Sequence, residues 1–177
     1  MTRTFAAVCA VAGALSGSIA CSSGYEGAAV VVDSLPSSAG FDSVAAPLVY
    51  FCGSLDCHGQ TGRNLRLYGK PGLRLDPSDV PCGTPTSAAE VEADYRSVTG
   101  LEPELMGEVA REGGQHPERL TLIRKARGTE KHTGGEVFKE GTPGDQCLVF
   151  WISGVLDELV AACNNTIPQN PTPQCIR

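Results

Sequence analysis

Six cysteines lie beyond residue 50: Cys52, Cys57, Cys82, Cys147, Cys163 and Cys175. Aromatic residues make up only 6% of the chain, so a core has few large side chains to close around. A small domain short of apolar mass is commonly stabilised by cross-links or by a bound group. The cysteines therefore constrain the fold more than any other feature, and the compartment decides whether they are staples, attachment points or thiols. At 177 residues the chain fits one domain and is too short for two comfortable ones.

The N-terminus indicates an oxidising compartment. Arg3 gives a short positive region, and residues 5–20 form an apolar stretch rich in Ala, Val and Gly. A membrane span needs about 20 predominantly apolar residues; this stretch reads instead as a secretory signal peptide over residues 1–20. Its end, Ser18-Ile19-Ala20-Cys21, resembles a bacterial lipobox, with Ser18 where Leu is usual. That resemblance implies lipidation of Cys21 as the new N-terminus. Ser22, in place of Asp, implies transit to the outer membrane. Simple cleavage after Ala20 is the alternative. Loss of residues 1–20 removes Arg3 and no acid, so the formal charge moves from -6 to -7. An acidic, exported chain is a poor partner for nucleic acid or an anionic membrane surface. The membrane is reached only through the anchor.

Residues 21–40 are rich in Ser, Gly and Ala and read as a tether, with an edge strand at residues 29–32 as the alternative. Beyond it the pattern is mainly α: short helices joined by long Gly-rich loops. Phe41, Val44, Ala45, Leu48 and Phe51 share a helical face, although Pro47 favours a late start. Leu65, Leu67, Leu73 and Leu75 alternate in a Gly- and Pro-rich loop and predict a small extended segment. Ser87 and Glu90 form a capping box before a helix carrying Val91, Tyr95 and Val98, closed by Gly100. Pro103 opens the next, with Leu105, Met106 and Val109 inside. A third is predicted over residues 117–127, with Arg124, Lys125 and Arg127 suiting its C-terminal dipole. A fourth spans residues 143–153, and a further short helix residues 155–163.

The sharpest local feature is Cys52-Gly53-Ser54-Leu55-Asp56-Cys57-His58-Gly59. Two cysteines followed at once by His attach c-type haem: the thiols add to the vinyl groups and the His reaches the iron. Four residues separate these cysteines where two are usual. A plain disulfide with His58 at the surface is one alternative. A zinc site from Cys52, Cys57, His58 and His132 is another. Taken with residues 120–128, with Lys131-His132-Thr133-Gly134-Gly135 and with Trp151-Ile152, the motif order over residues 41–154 resembles cytochrome c-like domains of bacterial envelope proteins. The resemblance implies covalent haem c on Cys52 and Cys57, with His58 as proximal and His132 as distal ligand. Met106 competes for the distal place, and His116 less strongly. Gly134 and Gly135 would let the backbone approach the haem. Two histidine ligands imply a low potential relative to Met/His ligation. Arg63, Arg66 and Arg74 are candidates to pair a haem propionate.

The other four cysteines allow three pairings; Cys147 with Cys163 and Cys82 with Cys175 are expected. The functional expectation is a lipid-anchored envelope electron-transfer protein whose partner is a redox protein. The alternative is a haem-free, disulfide-stapled binding or structural lipoprotein. No Gly-x-Ser-x-Gly elbow or phosphate loop is present, and Glu102 and Glu104 read as helix N-terminal charges. The chain therefore reads as a carrier or binding module rather than an enzyme. The two expectations differ in what separates His58 from His132: an open gap, or packed Leu, Trp and Phe.

Overall fold

Prolines and glycines cut the chain into short helices. The computed structural model describes residues 34–169, and among these six α-helices occur: α1 (Phe41–Cys52), α2 (Ala88–Thr99), α3 (Pro103–Arg111), α4 (Thr121–Ala126), α5 (Pro143–Ser153) and α6 (Leu156–Asn164). The expected signals set most of their ends. Ser87 Oγ accepts the Glu90 N–H, and the Glu90 carboxylate accepts the Ser87 N–H, which completes the capping box. Pro103 and Pro143 open α3 and α5. The chain leaves α5 through Gly154 at φ 75°, a conformation that costs an L side chain energy and glycine little.

Three expectations change. Pro47 does not delay α1; it lies inside the helix and is buried with Phe41, Val44, Ala45, Leu48 and Val49. Proline removes a donor and crowds the preceding turn, and burial of this apolar face offsets that cost. The single helix predicted over residues 117–127 is two pieces: a 3₁₀ turn at Pro117–Arg119, then α4, with Leu120 extended between them. Glu102 explains the break. Its carboxylate accepts the Thr121 N–H at 2.7 Å and the Thr121 hydroxyl at 2.9 Å, so it caps α4 from another helix's start. Leu120, freed from helical geometry, is fully buried. The leucine alternation at residues 65–75 makes no ladder; among the described residues the β structure is one isolated bridge, Tyr68 with Leu73.

The core gathers around Trp151, whose ring lies 4.9 Å from that of Phe41 and 6.2 Å from that of Tyr95. Both polar tips are satisfied by the incoming chain. Trp151 Nε1 donates to the Ser37 carbonyl, and the Tyr95 hydroxyl donates to the Pro36 carbonyl. The stretch read as tether up to Gly40 is thus held from residue 36 onward. Residues 1–33, with Cys21, the signal segment and the alternative strand at 29–32, lie outside the described residues. The expected bridge Cys147–Cys163 staples α5 to α6, with Cα atoms 4.7 Å apart. Cys82 is also disulfide-bonded; Cys175 lies outside the described residues. No helix among the described residues is long and apolar enough to cross a membrane.

A buried ion pair fastens the loop of residues 70–87 to α2. Arg74 Nε and Nη2 reach the two oxygens of Glu90 at 2.8 and 3.1 Å. The same guanidinium donates to the carbonyls of Val80, Thr84 and Pro85 and pairs with Asp79. Burial opposes ionisation of Glu90, but Arg74 and the N–H groups of Ser87 and Leu75 outweigh it and lower its pKa from 4.5 to about 2. A depressed carboxylate contributes stability above its unfolded pKa and loses it as pH falls through the folded one. Arg74→Met leaves Glu90 buried without its cation, so urea unfolding at neutral pH is expected to show a loss of about 3–5 kcal/mol. The wild-type decline between pH 4.5 and about 2 should flatten in that variant. An unchanged acid limb would show that Glu90 does not depend on Arg74.

Candidate functional site

α1 delivers Cys52 as its last residue, and the chain then folds back on itself. The Gly53 N–H returns to Val49 O, closing the helix. Cys57 N and Gly59 N both donate to Ser54 O, and His58 N donates to Cys52 O at 2.9 Å. The four-residue spacer therefore makes one closed turn that brings the His58 backbone back to Cys52. Three glycines allow this. A methyl group on Gly59 or on Gly72 would collide with the Gly53 carbonyl oxygen, so the loop at Gly72 is pressed directly against the cysteine turn.

Cys52 and Cys57 are half-buried free thiols. Burial, aided by the neighbouring Cys57, pushes the Cys52 thiol up to about 12. His58 Nδ1 lies 2.9 Å from the Leu65 carbonyl, to which it donates when that nitrogen carries the proton. Its own carbonyl accepts the Leu67 N–H at 2.9 Å. Burial lowers the His58 pKa; the Leu65 carbonyl opposes the shift, and His132 and Arg63 add to it.

His132 approaches from the loop after α4. That loop is held by Lys125 Nζ on the Lys131 carbonyl and by Gly135 N on His132 O. Gly134 lies against the His132 ring itself, where a Cβ would meet Cε1 at 2.9 Å. His132 Nδ1 is buried without a hydrogen-bond partner. The two imidazole centroids stand 5.9 Å apart, with the planes tilted by 31°.

Both rings and Cys52 line a cavity of about 510 Å³, within the range of cofactor and small-molecule sites. Leu48, Leu65, Leu101, Leu122, Val137 and Phe138 form its apolar wall. Arg63, Asn64, Glu102, Thr121 and Lys125 supply its polar groups. Phe138 closes down because Gly144 beneath it has no side chain. Trp151 is in the core and does not line the cavity.

Several expected residues stand elsewhere. Met106 is 1% exposed in the core on the buried face of α3, away from the cavity lining. His116 is on the surface beside Glu118. Arg74 is sealed in its pair with Glu90, and Arg66 donates to Thr61 O. Of the three arginines, Arg63 alone lines the cavity, while its guanidinium also holds the carbonyls of Cys57 and Asp56. Among the described residues no group of three or more His, Cys, Asp or Glu side chains converges as a metal site.

Lys125 and Glu102 went unread as site residues. The spacing of Leu122, Lys125 and Ala126 carries the signal for Lys125: it puts the lysine on the helical face that meets the cavity. No local pattern announces Glu102, which acts across 19 residues. No protein-family model, no characterised protein and no solved structure matches the chain.

In the reduced chain, Cys57 is expected to alkylate before Cys52, because only the thiolate attacks and burial withholds it from Cys52. Gly72→Ala should cost about 1–3 kcal/mol through overpacking and narrow that difference by loosening the turn. Timed alkylation read by peptide mass spectrometry checks both; equal rates in the parent chain would contradict the burial of Cys52.

Proposed function

We propose that the chain is an electron-transfer protein of the cell envelope, anchored by lipid on Cys21, that holds one covalent c-type haem between His58 and His132. One observation carries the reading: two imidazoles separated by 5.9 Å at a cavity of cofactor size. Ring nitrogens bind metals at about 2 Å, so two imidazoles sharing one ion have centroids about 6 Å apart. The surroundings suit ligands as well. Metal-binding histidines commonly donate their second ring nitrogen to a backbone carbonyl, as His58 can to Leu65. Two free thiols sit in the adjoining turn, and these would carry the thioether bonds.

The haem, when bound, supplies a one-electron couple. The chain's residues do the rest. Leu48, Leu65, Leu122 and Phe138 would give the group an apolar wall. Arg63 and Lys125, both lining the cavity, would offer cations to the propionates. His58 and His132 would hold the iron, since Met106 is packed in the core; such a pair would give a low potential relative to Met/His ligation. A redox protein of the envelope is the partner.

The mature chain, expressed with cytochrome c maturation, is expected to retain haem on a denaturing gel and to show a Soret band. Cys52→Ser with Cys57→Ser should abolish the covalent stain. His132→Ala should keep the stain and change the visible spectrum and midpoint potential. A colourless, soluble product would sink this reading in favour of a haem-free binding module. Cys21→Ser should move the protein from the membrane to the soluble fraction.

A further inference from the structure

Residues 65–68 run between the His58 turn and α2, and their backbone groups bond alternately to the two sides. Leu65 O and Leu67 N face His58, at 2.9 Å from its Nδ1 and its carbonyl oxygen. Arg66 N and Tyr68 N face α2. Arg66 N donates to Ser97 Oγ at 2.9 Å, and Tyr68 N donates to Asp94 Oδ1 at 2.7 Å. One peptide group, the Leu65 carbonyl with the Arg66 N–H, therefore bridges the His58 ring and the Ser97 hydroxyl. Hydrogen bonds in such a chain polarise one another. The next anchor is a carboxyl fully withdrawn from water, since Asp94 is 0% exposed and its Oδ2 is buried without a partner.

We propose that Ser97 and Asp94 are positioning residues for His58, and that Asp94 makes the orientation of this imidazole respond to pH. The proposal deepens the haem reading of the same site and rests on it. When Asp94 is ionised, its bond to Tyr68 N–H is charge-assisted, shorter and stronger. When it is protonated the grip weakens, and the strap that presents the Leu65 carbonyl to His58 slackens. The groups around Asp94 favour a change near neutrality. Burial raises its pKa from 3.8 to about 7, with the Tyr68 N–H opposing and the Glu90 charge adding to the rise. Arg74, from the loop side, is committed to Glu90. The inward face of α1 carries only apolar residues: Phe41, Val44, Ala45, Pro47, Leu48 and Val49. Nothing on these faces supplies Asp94 with a cation of its own.

The test is a pH series between about 5 and 9 by ¹H–¹⁵N NMR on the mature chain as isolated, with haem content scored separately by stain. The Tyr68 amide and the His58 ring are expected to shift together with one midpoint near 7. Asp94→Asn should abolish the Tyr68 transition and remove the matching step from the His58 ring. Ser97→Ala should keep the Tyr68 transition and make the His58 Nδ1 proton exchange roughly tenfold faster, as loss of one supporting hydrogen bond allows. A purely structural role would not remove the titration. A Tyr68 shift without a His58 shift overturns the coupling, and so does a flat Tyr68 amide in the wild type. Should Asp94→Asn not fold, the wild-type series and Ser97→Ala still decide. A colourless chain that shows the joint titration would fail the haem reading alone, and a haem-stained chain without it would fail this inference alone.

Discussion

Glu90 organises more of this fold than its single side chain suggests. The carboxylate closes the capping box at the start of α2, takes both arms of the Arg74 guanidinium and accepts the Leu75 N–H. Through Arg74 it gathers the carbonyls at 80, 84 and 85. A loop with little apolar content of its own is thereby fixed to a helix. The same helix then presents Ser97 and Asp94 to residues 65–68, which in turn hold His58. Buried ion pairs contribute little net stability against an apolar replacement. Here the pair fixes the loop of residues 70–87 to the start of α2.

The cavity combines two kinds of wall. Its apolar side comes from α1, α4 and the segment around Phe138, while cationic groups stand among its polar lining. Lys125 is restrained by Glu130 and by the Lys131 carbonyl, and Arg63 by the cysteine turn. Side chains already ordered lose less freedom when a carboxylate arrives. The two histidines come from loops far apart in sequence, so their spacing is set by tertiary packing and not by local propensity.

Features encoded by neighbours were legible in the sequence. The Ser87–Glu90 box, the prolines at 103 and 143 and the glycine at 154 act within one turn, and the corresponding helix ends fall where expected. The Cys147–Cys163 bridge, one of the three pairings open to four cysteines, joins α5 to α6 as expected. What was not legible acts at a distance. Glu102 splits a predicted helix from 19 residues away. Burial of one apolar face overrides Pro47. Met106 has the chemistry of a ligand, but α3 turns it into the core. Arg74 reads as a candidate partner for a haem propionate until α2 brings Glu90 to it. Cys52, Cys57 and His58 form a contiguous motif and could be read directly, whereas bringing His132 to His58 required the whole fold.

The bonds from Trp151 and Tyr95 to the carbonyls of Ser37 and Pro36 set a length. Chain beyond residue 36 is committed to the domain and cannot pay out as slack. With the proposed anchor at Cys21, about 15 residues remain, and a fully extended chain covers at most about 3.3–3.6 Å per residue. The leash is then no longer than about 54 Å. A domain held at that length would stay near the surface that carries its anchor.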